Sequence, residues 1–157
     1  MKFIKQETTA PGLRHIDWGL FYIGKTPARV ILGPCLSIII SSAKAKTIGL
    51  SHIYPTPFDD NKYGPYNHPE NVVDAFSRYI RQHQLDDAEL WVIDREKTTI
   101  RGKELIMRSI DAIAQLNYIP TVVNGFPQRC ALTSNPEQMQ VEIYDISSHE
   151  DFQQNNR

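Results

Sequence analysis

Two side chains in this 157-residue chain have the types and spacing for covalent chemistry without a cofactor: Cys35 and His52. Both lie in LGPCLSIIISSAKAKTIGLSHIYP, which runs from Leu32 to Pro55. A cysteine attacks a carbonyl carbon once its proton is removed, and an imidazole is the side chain best suited to remove it near neutral pH. Gly33 and Pro34 favour a sharp turn before Cys35, where backbone amides around Cys35 can stabilise a thiolate or a developing oxyanion. The stretch reads as a hairpin. Residues 36–41 form one apolar strand, SAKAK turns, and residues 46–54 return. A pair centred near Lys44 sets residue 36 opposite residue 52, and a one-residue shift sets Cys35 opposite His52. Cross-strand neighbours have Cβ atoms about 4.5–5.5 Å apart, the reach a nucleophile and its base need. The bland reading of the same residues is a buried, inert thiol and a hydrogen-bonded core histidine.

Composition sets the frame for this pair. A chain that is 41% hydrophobic and 22% charged has the make-up of a globular domain with its own core. A single domain over 1–157 is expected. The formal net charge is -1 and the lysines and arginines are scattered, so no nucleic-acid surface is expected. Apolar runs such as LSIII are too short for membrane insertion, and MKFIKQETTAPG has no apolar run of the secretory kind. The expected location is cytoplasmic, or that of an effector delivered without a classical signal peptide. The two cysteines stand 95 positions apart, which predicts free thiols rather than a disulfide framework.

Strands are expected at 18–24, 28–32, 36–41, 46–54, 89–94, 119–124, 128–133 and 138–145, with Asn135 and Pro136 in the last hairpin turn. Residues 55–70 carry four prolines and read as a long loop. Val72, Val73, Phe76, Tyr79 and Ile80 define a helix over 71–84, and Ile106, Ile110, Ile113 and Leu116 define one over 103–117. Too few strands alternate with helices for a doubly wound sheet. The expected class is α+β, a mixed or antiparallel sheet assembly flanked by two helices. Trp18 and Trp91 are expected as core anchors and Cys130 as a core-facing strand residue. Asp59 and Asp60 are expected at a solvated loop tip, and 94–97 as a solvated turn. No metal site is expected: His68 and His83 are fifteen apart, His15 and His149 lie near opposite ends, and each reads as a surface residue.

The Cys–His segment resembles the CheD family of chemoreceptor glutamine deamidases. Leu32-Gly33-Pro34-Cys35 is similar to that family's glycine-rich strand end, and Gly49-Leu50-Ser51-His52 to its histidine segment. Sixteen residues separate Cys35 from His52, the family's spacing. The weaker resemblance runs in order over residues 20–145, and a similar Cys–His core marks deamidase toxins such as the cytotoxic necrotizing factors and the Burkholderia lethal factor. Three positions depart from the family. Arg29 stands where it has a threonine, Pro34 where it has a serine, and IDREK where it has glycines. Thr26, Thr47 or a backbone carbonyl remains to orient His52.

The resemblance implies a CheD-like sandwich and a protein-glutamine deamidase with Cys35 as nucleophile and His52 as base. The oxyanion would rest on the backbone at Cys35, with no cofactor. The partner implied is a protein bearing a reactive glutamine, a chemoreceptor or a host protein. Two alternatives stay open. One is a non-catalytic binding module that uses the 55–70 loop. The other is a different thiol acyl-transfer enzyme, a transglutaminase or peptidase, because water and amines meet the same thioester.

Overall fold

The computed structural model describes residues 1–7, 13–95 and 99–147. Its strands are β1 (Lys2–Gln6), β2 (Arg14–His15), β3 (Leu20–Gly24), β4 (Ala28–Leu32), β5 (Ile38–Ser42), β6 (Thr47–His52), β7 (Glu89–Arg95), β8 (Pro120–Phe126), β9 (Cys130–Asn135) and β10 (Gln140–Asp145). Its helices are α1 (Pro69–Gln82) and α2 (Ile100–Gln115). The strands form two mixed five-stranded sheets, ordered β1-β10-β9-β4-β2 and β3-β6-β5-β7-β8. The class is the α+β one expected.

The second sheet is the middle layer. One face, with Ile39, Ile48, Leu50 and Ile93, packs on Val30, Leu32, Leu132 and Val141 of the first sheet. The other, with Ile38, Ile40, Leu90 and Val92, packs on Val72, Val73, Phe76 and Ile80 of α1 and Leu105, Ala112 and Ile113 of α2. A sheet covered on both sides has no polar face to alternate, so IIISS and TIGLSH are buried at every position. The first sheet has one covered face, and its β4 alternates between buried and half-buried positions.

Several expectations shift. Lys2–Gln6 and Arg14–His15, which are not among the expected strands, form outer strands parallel to β10 and β4. The second helix starts earlier than expected, at Ile100. Thr99 caps it, accepting the Gly102 N–H at 3.0 Å. Its buried stripe is Gly102, Leu105, Ser109, Ala112 and Ile113, while Leu116 is its exposed C-cap. Trp18 is 39% exposed rather than a core anchor. Trp91 is half-buried on the inter-sheet core and donates its indole N–H to Ser41 at 2.8 Å. Of the expected turn at 94–97, Asp94 and Arg95 belong to β7, and the rest lies outside the described residues. The tail from 148 lies outside them too.

The decisive correction is the register of the β5–β6 hairpin. Ile39 faces Leu50, Ser42 faces Thr47, and Leu36 bridges to Ile53 beyond the regular pairing. Each pair is one position away from the expected match of 36 with 52, in the direction that moves Cys35 away from a match with His52. The cause is the turn. Asp87 accepts from Ser42 Oγ at 2.7 Å and from the Lys44 N–H at 2.9 Å, and Ser42 Oγ accepts from the Ala45 N–H at 3.2 Å. These bonds fix a four-residue turn with Lys46 in the left-handed region at φ 47°. The same two bonds hold the Asp87 carboxyl below its usual range.

Candidate functional site

Alternation along a strand settles which side chains meet. With Ile39 opposite Leu50 and Leu36 opposite Ile53, Ser37 is opposite His52 and Cys35 is one step diagonal. Cys35, Ser37 and His52 share the face that carries Ile39, Ile48 and Leu50 into the inter-sheet core. Diagonal neighbours lie about 7–8 Å apart, farther than the direct pair the sequence suggested.

His52 is anchored through one ring nitrogen and through its backbone carbonyl. Its Nδ1 lies 2.7 Å from the Ile16 carbonyl. A carbonyl only accepts, so Nδ1 carries the proton and Nε2 presents its lone pair. Ile16 is itself held, its N–H donating to the Arg29 carbonyl at 2.9 Å. Arg29 thus acts on His52 through its backbone. Of the candidates left open, the backbone carbonyl holds the ring. Thr47 Oγ1 is spent on the Ala45 carbonyl at 3.1 Å, and Thr26 is exposed. The His52 carbonyl accepts from Gly19 N–H at 2.8 Å. Gly19 has φ +74°, and a Cβ there would run into the Tyr63 carbonyl, so only glycine fits.

His52 Nε2 is buried without a hydrogen-bond partner among the described residues, and so is Ser37 Oγ. Two opposed strand positions therefore carry unsatisfied polar atoms on one face. Period-two spacing from Cys35 was the sequence signal that could have found Ser37. Nothing in the sequence marks the Ile16 carbonyl.

Cys35 is 1% exposed and His52 2%. Burial pushes the Cys35 thiol up to about 12, against the opposing pull of the Arg95 charge. Burial pushes the His52 imidazole down to about 4, with the Ile16 bond and Asp17 acting upward and His15 downward. At neutral pH the pair is thiol and neutral imidazole. Pro34 has no N–H and the Leu36 N–H is bonded to Ile53 at 2.9 Å, so neither neighbour adds to the Cys35 N–H as a donor for an oxyanion. Cys130, as expected, is a buried core thiol, also pushed up to about 12 by burial.

Around this centre, Trp18 meets Tyr54 and Tyr63 at ring centroids of 4.9 and 5.5 Å and turns its edge to His52 at 6.5 Å. The 55–70 loop is pinned. Asn67 is buried, accepts the Tyr54 N–H at 2.7 Å and donates to the Tyr54 carbonyl at 3.0 Å. His68, expected at the surface, is buried. Its Nε2 lies 3.0 Å from Asn61 Oδ1, and Arg108 donates to its Nδ1 at 3.3 Å while pairing with Glu70 at 2.7 Å. His83 is exposed and stacks on Tyr79, His15 is exposed on β2, and His149 lies outside the described residues. Asp59 is exposed, and Asp60 is half-buried and accepts the Lys62 N–H at 2.9 Å.

Among the described residues, no group of three or more His, Cys, Asp or Glu is placed to hold a metal ion, and no helix is long and apolar enough to cross a membrane. Compared with known proteins, the chain matches no family model and no curated protein.

Proposed function

We propose that the chain is a thiol-dependent protein-glutamine deamidase, with Cys35 as nucleophile and His52 as general base and acid. One observation carries this reading. The thiol, in the segment leading into β5, and the imidazole, at the end of β6, share a buried face, with the ring tautomer fixed by Ile16 so that its free lone pair is on Nε2. His52 Nε2 takes the Cys35 proton, and the sulfur bonds to the side-chain carbonyl carbon of a glutamine. The Cys35 N–H takes the oxyanion. The imidazolium returns its proton to the departing nitrogen, ammonia leaves, and a thioester remains. Water, deprotonated by Nε2, cleaves the thioester to glutamate and restores the thiol. Glutamine and water go in, and glutamate and ammonia come out.

The substrate must reach a sulfur that is sealed in this conformation, so catalysis requires an opening beside Pro34. That burial is also what favours the second reading, a non-catalytic binding module on the same scaffold. Mass spectrometry of candidate proteins, with unaltered and Cys35→Ala protein side by side, separates the two. The deamidase produces glutamate at defined glutamines with the unaltered protein alone. Identical spectra from both would leave the binding module.

A further inference from the structure

The buried hydroxyls of the β5–β6 hairpin are committed, with one exception. Ser41 accepts the Trp91 indole N–H at 2.8 Å, and Ser42 donates to Asp87 at 2.7 Å. Thr47 donates to the Ala45 carbonyl at 3.1 Å. Ser51 takes the Ile38 N–H at 2.8 Å and donates to the Ile38 carbonyl at 3.1 Å. Ser37 is fully buried, and its Oγ has no partner among the described residues. A buried hydroxyl left unpaired is costly, so its place on an otherwise apolar face needs a reason. The backbone around it is fixed: the Ser37 carbonyl accepts the Ile93 N–H at 3.4 Å, and Leu36 and Ile53 exchange both backbone bonds at 2.9 Å. That exchange makes 36 and 53 a hydrogen-bonded pair, so Ser37 and His52 fall in the narrow position next to it, where side chains stand closest. His52 Nε2 is the other unpartnered atom of this pair, and neither Ser37 Oγ nor Cys35 Sγ is hydrogen-bonded to it at rest.

We infer that Ser37 relays the proton from the thiol to the imidazole. Cys35 lies two positions before it on the same face, and His52 lies opposite. A serine hydroxyl turns about one bond and donates and accepts at once, and turning this one breaks no hydrogen bond. The S–H bond breaks as its proton bonds to Ser37 Oγ, and the serine's own O–H bond breaks as that proton bonds to His52 Nε2. Thiolate and imidazolium result, and the hydroxyl is restored. Direct transfer has to cross a diagonal of about 7–8 Å between strand positions, and the relay divides it into two short steps. The tautomer set by Ile16 is the one the relay needs, because it leaves the lone pair on Nε2. The inference rests on the deamidase reading for the reaction it serves, but the contact between hydroxyl and imidazole is readable without a substrate.

The test follows the ring nitrogens of His52 by nitrogen NMR at pH 7 in the unaltered protein, Ser37→Ala and Ser37→Thr, with thermal melts confirming that each folds. Conversion of glutamine peptides is followed by mass spectrometry in ordinary and heavy water. Ser37→Ala is expected to move the Nε2 resonance toward that of a nitrogen without a hydrogen bond and to leave Nδ1, held by Ile16, in place. Ser37→Thr keeps the hydroxyl and is expected to keep the resonance. In conversion, Ser37→Ala is expected to lower kcat about 100-fold with KM unchanged, and to reduce the heavy-water effect from that of two protons to that of one. An Nε2 resonance untouched by Ser37→Ala overturns the relay whether or not any glutamine is converted, and so does an undiminished kcat. Conversion lost in Ser37→Ala but kept in Cys35→Ala makes Ser37 the nucleophile and overturns the relay and the thiol reading together. A shifted Nε2 with no conversion by the unaltered protein supports the contact and sinks the deamidase.

Discussion

Acidification tests whether His52 is held neutral in the core. In the unfolded chain the imidazole takes a proton near its ordinary 6.5, and in the fold only near 4. Between those values the unfolded state binds the extra proton, so stability rises with pH through that window and is lost as pH falls through it. At about 1.36 kcal/mol per pH unit the full difference amounts to roughly 3 kcal/mol, of which about 2 kcal/mol is gone by pH 5. That is a large part of the 5–15 kcal/mol typical of a domain. The physical source is the ring's place between two sheets, where only the Ile16 carbonyl is near enough to favour the charged form by hydrogen bonding.

The assay is urea unfolding at pH 7, 6, 5 and 4.5 for the unaltered protein and for His52→Gln. Other histidines and the carboxylates titrate in both proteins, so their contributions cancel in the comparison. The unaltered protein is expected to lose about 2 kcal/mol more than the variant between pH 7 and 5. Parallel stability curves for the two proteins refute the argument, because they require an imidazole that titrates alike folded and unfolded. An NMR titration of the ring gives a second check, expected to show no inflection near 6.5.

Three further outcomes follow from the same coordinates. The sequence suggested a nucleophilic Cys35 and a core-facing Cys130, but burial raises both thiols alike; both are expected to react with iodoacetamide at pH 8 about 1,000-fold more slowly in the folded protein than in denaturant, as read by mass-resolved labelling. Gly19→Ala forces a Cβ into the Tyr63 carbonyl at a left-handed φ; a loss of at least about 2 kcal/mol is expected in chemical unfolding, with the Trp18 fluorescence altered. Asn67→Ala removes the bonds that join the 55–70 loop to Tyr54, and a loss of about 2 kcal/mol with faster proteolysis inside the loop is expected, by denaturation and timed digestion.

The central strand β5 was legible because burial on both faces favours an apolar run, and the α1 face because Val72, Val73, Phe76 and Ile80 keep helical period. The outer strands β1 and β2 were not legible, since KFIKQ and RH are largely exposed and carry no clear alternation. The hairpin shows where local reading stops. A match of 36 with 52 places Cys35 and His52 on opposite faces of the sheet. The observed register restores the shared face, and it does so through Asp87, a residue far along the chain that grips the turn. No pattern inside residues 32–55 encodes that contact. Register depends on the turn, and a slip of one residue exchanges faces.

The ring anchor carries the argument one step further. A threonine hydroxyl can donate or accept, so it tolerates either imidazole tautomer. The Ile16 carbonyl only accepts, so it fixes the proton on Nδ1 and keeps Nε2 basic in every uncharged state of the ring. Burial then withholds charge from both partners: the imidazole is too weak a base and the thiol too weak an acid to exchange a proton in the closed core. An ion pair can form only when something lowers the cost of charge there. The Arg95 guanidinium already pulls the thiol toward ionisation, and water or a polar carboxamide entering past Pro34 would add to that pull. In the proposed mechanism the resting protein is therefore held inert by burial, and the arrival of substrate supplies the polarity that sets the proton moving from Cys35 to His52.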